Sequence, residues 1–259
     1  MSDTRRGPAL LVLAIVLVVA GGAVAAVLMS TDGTGPRPAA DARSAPAAAS
    51  SSAPAPAAVA EPALWPFRTL DEARRWQQEQ QPGGHSPWHL DAEATALSFT
   101  TGYLGFAEVD TVLRSEVDAT EALVEVGYAG ESGRPSPAAT LRLVRFGDGP
   151  HAPWEVAGTV DGTLTITEPA PDAVVTSPVR VGGLVSGVDE SIRVQLRDPS
   201  APKPIGESCC RPAGGENSPW SVTVGFTGAS GATLTVVASS GGHVTDVEGF
   251  AVIGTRPAI

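Results

Sequence analysis

Cys209 and Cys210 are adjacent and are the only thiols in the 259-residue chain. Neighbouring Cα atoms across a trans peptide lie about 3.8 Å apart, below the usual disulfide span of about 4.4–6.8 Å. A bond between them therefore requires a tight ring of adjacent residues. A bridge between two chains and a pair of free thiols are the other chemistries open to them. A metal site is weak, because the chain has no other cysteine and no histidine nearby in sequence. As a vicinal disulfide, the pair stiffens its surroundings or presents a redox-sensitive contact point.

His85-Ser86-Pro87-Trp88-His89 spaces two histidines by four. On a helix that spacing holds zinc, but Pro87 argues against a helix and no third ligand is near, so loop-bonded histidines are the plainer reading. His151 and His243 stand alone beside turn residues. There is no Gly-x-Ser-x-Gly elbow and no glycine-rich phosphate loop. Catalytic residues, cofactor ligands and metal ligands are accordingly assigned to none. Trp65, Phe67, Trp76, Trp88, Phe99, Tyr103 and Phe106 crowd one region. They line a groove for a glycan or lipid, or they are an ordinary core, which is the default for a small domain.

The elements that must position these residues begin with an anchor. Residues 9–29 carry no charge and, as a helix, measure about 31 Å against a bilayer core of about 30 Å. Arg5 and Arg6 precede the run, which puts residues 1–8 in the cytoplasm and residues 30–259 outside. A cleaved signal peptide is the rival, with Ala23-Val24-Ala25 as a cleavage-like site, but its apolar region would be only about 7–15 residues. Residues 30–61, mostly Ala, Pro, Ser and Gly, read as a disordered stalk. The chain has 28 acidic and 17 basic side chains, a formal charge of −11. With no basic patch, nucleic acid is disfavoured as a partner.

Residues 62–162 read as a small α+β domain. Thr69 with Glu72 marks a helix start, Gly83-Gly84 its end, and Asp91 a second cap before Leu97, Phe99 and Tyr103. From Val112 the period becomes two: Val124, Val126 and Tyr128, then Leu141 and Leu143, then Trp154 and Val156. Two helices on an antiparallel curled sheet follow, and this order resembles the cystatin-like and nuclear transport factor 2-like folds.

Residues 163–259 read as an all-β immunoglobulin-like sandwich of six or seven short strands, expected to fold alone. Leu234 and Val236 alternate with threonines, and Phe250 and Val252 with Gly249 and Ala251. Pro199 to Asn217 reads as an insert between strands. Ile166-Thr167-Glu168-Pro169, Val175-Thr176-Ser177-Pro178-Val179-Arg180-Val181-Gly182-Gly183, Asp189-Glu190 and Pro219-Trp220 resemble the immunoglobulin-like domain of bacterial spore germination, over residues 164–253. That resemblance implies a cell-surface interaction module without catalytic residues of its own.

The sequence thus points to a single-pass membrane protein of the bacterial envelope. It binds or assembles with an envelope protein or cell-wall component, needs no cofactor and is not an enzyme. The alternative is a small-molecule carrier or enzyme that uses a concave pocket in residues 62–162. Protease added to intact, wall-stripped cells is expected to remove residues 62–259. Protection of that region while a surface control is digested overturns the orientation.

Overall fold

The computed structural model describes residues 63–160 and 162–258, all within one compact unit. The apolar run 9–29 and the stalk 30–61 lie outside the described residues. Among those described, no helix is long and apolar enough to cross a membrane.

Two short helices come first. Helix α1 (Leu70–Arg75) is capped by Thr69, whose hydroxyl accepts the Glu72 N–H at 3.2 Å. It widens over Trp76–Gln80 into a turn where the Gln81 N–H reaches the Trp76 carbonyl, and Gly84 ends this region at φ 73°. Helix α2 (Ala92–Leu97) is capped by the Asp91 carboxylate, which accepts the Ala94 N–H at 3.0 Å. It widens in the same way over Ser98–Leu104 and stops at Gly105, φ 77°.

Strands β1 (Thr111–Val117), β2 (Glu121–Ala129), β3 (Pro135–Arg145) and β4 (Trp154–Val160) form an antiparallel sheet in that order. The rest are β5 (Val174–Val175), β6 (Val179–Arg197), β7 (Gly206–Val224), β8 (Leu234–Ser240) and β9 (Gly249–Pro257). These form a second sheet in the order β5-β9-β8-β6-β7.

This corrects the expectation of an α+β domain of two helices on a curled sheet and a separate immunoglobulin-like sandwich, while the expected transmembrane helix lies outside the described residues. The described residues make one mostly β unit with two short helices and two sheets. Strands β8 and β9 are the reason. Leu234, Val236 and Ala238, with Ala251 and Ile253, enter one core with Ile192, Val194, Leu196 and Trp220. Val237, Phe250 and Val252 enter the other, with Phe99, Val124, Leu141 and Trp154. Both strands are buried on both faces, and Thr235 and Ala251 are 0% and 2% exposed. Alternation with threonine, glycine and alanine looks like one wet face, but here the small side chains let a second layer approach.

The insert is corrected as well. From Gly206 onward it is strand, paired with β6 from Leu196↔Gly206 to Val179↔Val224. Its glycines and Pro212 suggest a loop, yet β7 is the sheet's edge. An edge strand tolerates proline because its outer side needs no donor.

Residues 163–259 cut free would leave Val237, Phe250 and Val252 without their cover. That fragment is expected to bind an apolar dye and melt without a cooperative transition, whereas residues 63–259 melt cooperatively. A cooperative, dye-free melt of the fragment overturns the shared wall.

Candidate functional site

The sequence-singled residues go to different places. Cys209 and Cys210 are bonded to each other across a cis peptide, their Cα atoms 3.1 Å apart. They lie on β7, where Ser208 pairs with Val194 and Arg211 with Ile192, so the two cysteines oppose Arg193 alone in a bulge. His85 and His89 are not brought together on a helix. His89 lies in the short turn Pro87–Leu90, buried among Phe67, Trp76 and Trp88 with ring centroids 4.9, 4.9 and 3.7 Å away. Burial lowers its pKa from 6.5 to about 4. Among the described residues no group of three His, Cys, Asp or Glu could hold a metal ion. The aromatics form core: Phe99 is fully buried, and Trp65, Tyr103 and Phe106 pack against the same cluster.

Glu155 is a polar group that sequence reasoning missed, because Trp154-Glu155-Val156 reads as a strand with an outward carboxylate. Its side chain is 0% exposed. One oxygen accepts the Phe67 N–H at 2.8 Å, and the other has no partner. Burial pushes the carboxyl well above its ordinary range, against the opposing pull of the Phe67 and Trp65 N–H groups; nearby Glu72 pushes the same way as burial. The Nδ1 of His89 and the Nε1 of Trp76 are also buried without partners. The segment Glu155 grips is also paired to β4, with the Leu64 N–H on the Val156 carbonyl at 2.8 Å and the Val156 N–H on the Trp65 carbonyl at 2.9 Å. Glu155 is thus a clamp on the segment from which the helices start.

A cleft of about 380 Å³ opens elsewhere, at the end of the wall. Its floor is β6 and β8, which present Ser191, Arg193 and Gln195 beside Ser239 and Ser240. Leu104–Phe106 leads out of α2 along one side, and Gly241, Gly242, Asp246 and Val247 close the other, with Cys210 at the β7 rim. Each part is held by the fold. Arg197 crosses from β6 to bind the Leu104 carbonyl at 2.9 Å, and Phe106 packs edge-on against Phe250 at 5.4 Å. A Cβ at Gly241 would meet the Asp246 carbonyl at 2.6 Å, so only glycine lets this loop fold back. Glu248 accepts the His243 and Val244 N–H groups at 2.6 and 2.7 Å. Burial opposes the ionisation of Glu248, but the Val244, His243 and Thr245 N–H groups outweigh it and hold its pKa low.

The cleft is polar but carries little unbalanced charge. Arg193 pairs with Glu207 at 3.4 Å. The Oε1 of Gln195 is buried with no donor, and such an acceptor costs about 1–3 kcal/mol when left unpaired. Glu155 and His89, the groups whose burial shifts them furthest, do not line the cleft. Sequence reasoning missed Gln195 because it sits between Val194 and Leu196 of an alternating strand, and Ser239 and Ser240 because they read as the polar end of one. Ser239-Ser240-Gly241-Gly242 was the one signal, a run too polar for a strand that must be buried.

Comparison with family models, with curated proteins and with solved structures yields no match.

The Glu155 carboxyl has a folded pKa above its unfolded value, so its contribution is fully present below about pH 4.5 and is lost as pH rises through the folded pKa. His89 works the other way: its contribution is present above about pH 6.5 and is lost as pH falls towards about 4. Glu155→Gln is expected to raise stability at pH 8 by about 1–3 kcal/mol and to flatten the alkaline limb while sparing the acid limb. Chemical denaturation across pH checks this, and a variant less stable than the parent at pH 8 overturns the neutral-carboxyl assignment.

Proposed function

We propose that this chain is a membrane-anchored binding or assembly protein of the bacterial cell envelope, with its folded unit outside the membrane and no catalytic activity of its own. Its ligand is an envelope protein or a cell-wall component, and the cleft at the end of the β8–β9 wall receives it. The observation that carries this reading is the braced polar cleft of about 380 Å³, lined by Ser191, Gln195, Ser239 and Ser240 beside Phe106. The uncharged run at residues 9–29, with Arg5 and Arg6 before it, supports the tether. The resemblance of residues 164–253 to the immunoglobulin-like domain of spore germination supports an interaction role.

The second reading, a small-molecule carrier or enzyme, has the cleft volume in its favour. About 380 Å³ falls within the roughly 300–1,000 Å³ of small-ligand sites. Against catalysis stands the placement of Glu155 and His89 away from the cleft.

Residues 63–259, purified and mixed with isolated envelopes of the producing cells, are expected to sediment with them. Gln195→Leu is expected to weaken that retention at least fivefold. A parent protein that stays wholly in the supernatant overturns the envelope-binding reading.

A further inference from the structure

We propose that the open edge of strand β1 pairs antiparallel with the same edge of a second copy of this chain, about a two-fold axis at Ser115, joining the two four-stranded sheets into one. This goes beyond the binding reading above and does not depend on what the cleft receives.

Among the described residues β1 ends its sheet, paired with β2 on one side only. Its register decides which backbone groups are free. The Asp118 N–H meets the Glu121 carbonyl at 2.8 Å, and the pairing runs on through Glu116↔Leu123 and Arg114↔Glu125. In an antiparallel pair every second residue turns its N–H and C=O to the partner. Asp118, Glu116 and Arg114 therefore bond β2, while Ser115 and Val117 turn theirs outward. The one register shift of β1 falls between Val112 and Arg114, before this stretch. Strand β7, an edge of the other sheet, is blunted by Pro212, Pro219 and its bulge. Thr111–Val117 holds neither proline nor glycine.

The side chains choose the occupant. Leu113-Arg114-Ser115-Glu116-Val117 runs apolar, basic, hydroxyl, acidic, apolar, a pattern complementary to its own reverse. With Ser115 facing Ser115 as a hydrogen-bonded pair, Arg114 of each copy faces Glu116 of the other in a non-hydrogen-bonded pair, where side chains come closest. Arg114 and Glu116 already meet within one strand, with side chains 73% and 59% exposed. Two copies thus set four charges of alternating sign together. Val117, an apolar side chain 54% exposed, comes beside Leu113 of the other copy. The Ser115 hydroxyl is held by Glu93 of α2, which leaves the Ser115 backbone to make the axis. A two-fold contact between identical chains requires such self-complementarity, and a strand of one charge sign would repel its own copy.

The shared edge is short, so association is expected to be weak and concentration-dependent. Sedimentation velocity of residues 63–259, and of the full chain in detergent, reads it over a concentration series reaching millimolar. Both are expected to form dimers. Glu116→Arg sets like charges across the axis and is expected to weaken the dimer at least tenfold, and Arg114→Glu added to it is expected to restore the dimer. Ser115→Pro removes an outward N–H that β2 does not use, so it is expected to stay folded and lose the dimer. Should Ser115→Pro fail to fold, the charge exchange decides alone. Monomer throughout the series overturns the proposal. A dimer that survives Glu116→Arg, or that the exchange does not restore, overturns it too, because the contact then lies elsewhere. A dimer of residues 63–259 that the full chain does not form overturns it for the whole protein and assigns the edge to residues 1–62.

Discussion

Strands β8 and β9 must be dry on both faces, and most of the architecture follows from that. A strand pair with water on one side can alternate polar and apolar residues freely. Here Val237, Phe250 and Val252 face the helices and the four-stranded sheet, while Val236, Ala238, Ala251 and Ile253 face the long β6–β7 pair. Hydroxyls on this wall therefore need partners inside. Thr235 meets the Tyr103 hydroxyl at 3.2 Å, and Thr255 donates to the Leu234 carbonyl at 3.5 Å. Neither bond is strong by distance, but each keeps a buried hydroxyl from standing alone.

The same wall explains where the cleft lies. The double cover extends along β8 as far as Ala238, and Ser239 and Ser240 remain 6% and 7% exposed just beyond it. Past them Gly241 and Gly242 turn the chain, and the loop tied by Glu248 returns it to β9. Polar side chains gather at this point beside Phe250, which pairs with Ser239 and packs against Phe106. Arg197, 9% exposed and bound to the Leu104 carbonyl, fixes the end of α2 against β6. One side of the cleft is thereby held by β6, and the other by the loop that Glu248 ties between β8 and β9.

Local rules were legible in the sequence because they rest on neighbours a few residues apart. The Thr69 and Asp91 caps, and the period-two runs at 124–128, 141–143 and 154–156, are read from spacing alone. What was hidden depends on contacts across the chain. Leu234 and Phe250 look like members of one apolar face, yet they enter different cores. Residues 206–217 look like a loop, yet they form an edge strand, because pairing with β6 satisfies one side of the backbone and water the other. Glu155 sits where alternation predicts solvent, and only the return of residues 64–67 onto β4 buries it. The cleft was illegible for the same reason: Phe106, Gln195 and Ser239 are brought together by three separate elements.

Four of the buried side chains with an unpartnered atom, Glu155, His89, Trp76 and Gln195, divide into two kinds by their surroundings. Glu155, His89 and Trp76 are enclosed within the helical layer, where the rings of Phe67, Trp76 and Trp88 close round the imidazole. Glu155 can shed the cost of its charge by staying protonated, so it acts within the fold as a clamp on residues 64–67. Gln195 has no such recourse, since an amide cannot neutralise itself by taking up a proton at ordinary pH. Its side chain borders the open cleft rather than the helical layer, with the Oε1 itself covered. Burial alone does not separate structural polar groups from binding ones. Whether the group can relieve its own cost, and whether a partner can reach it, does.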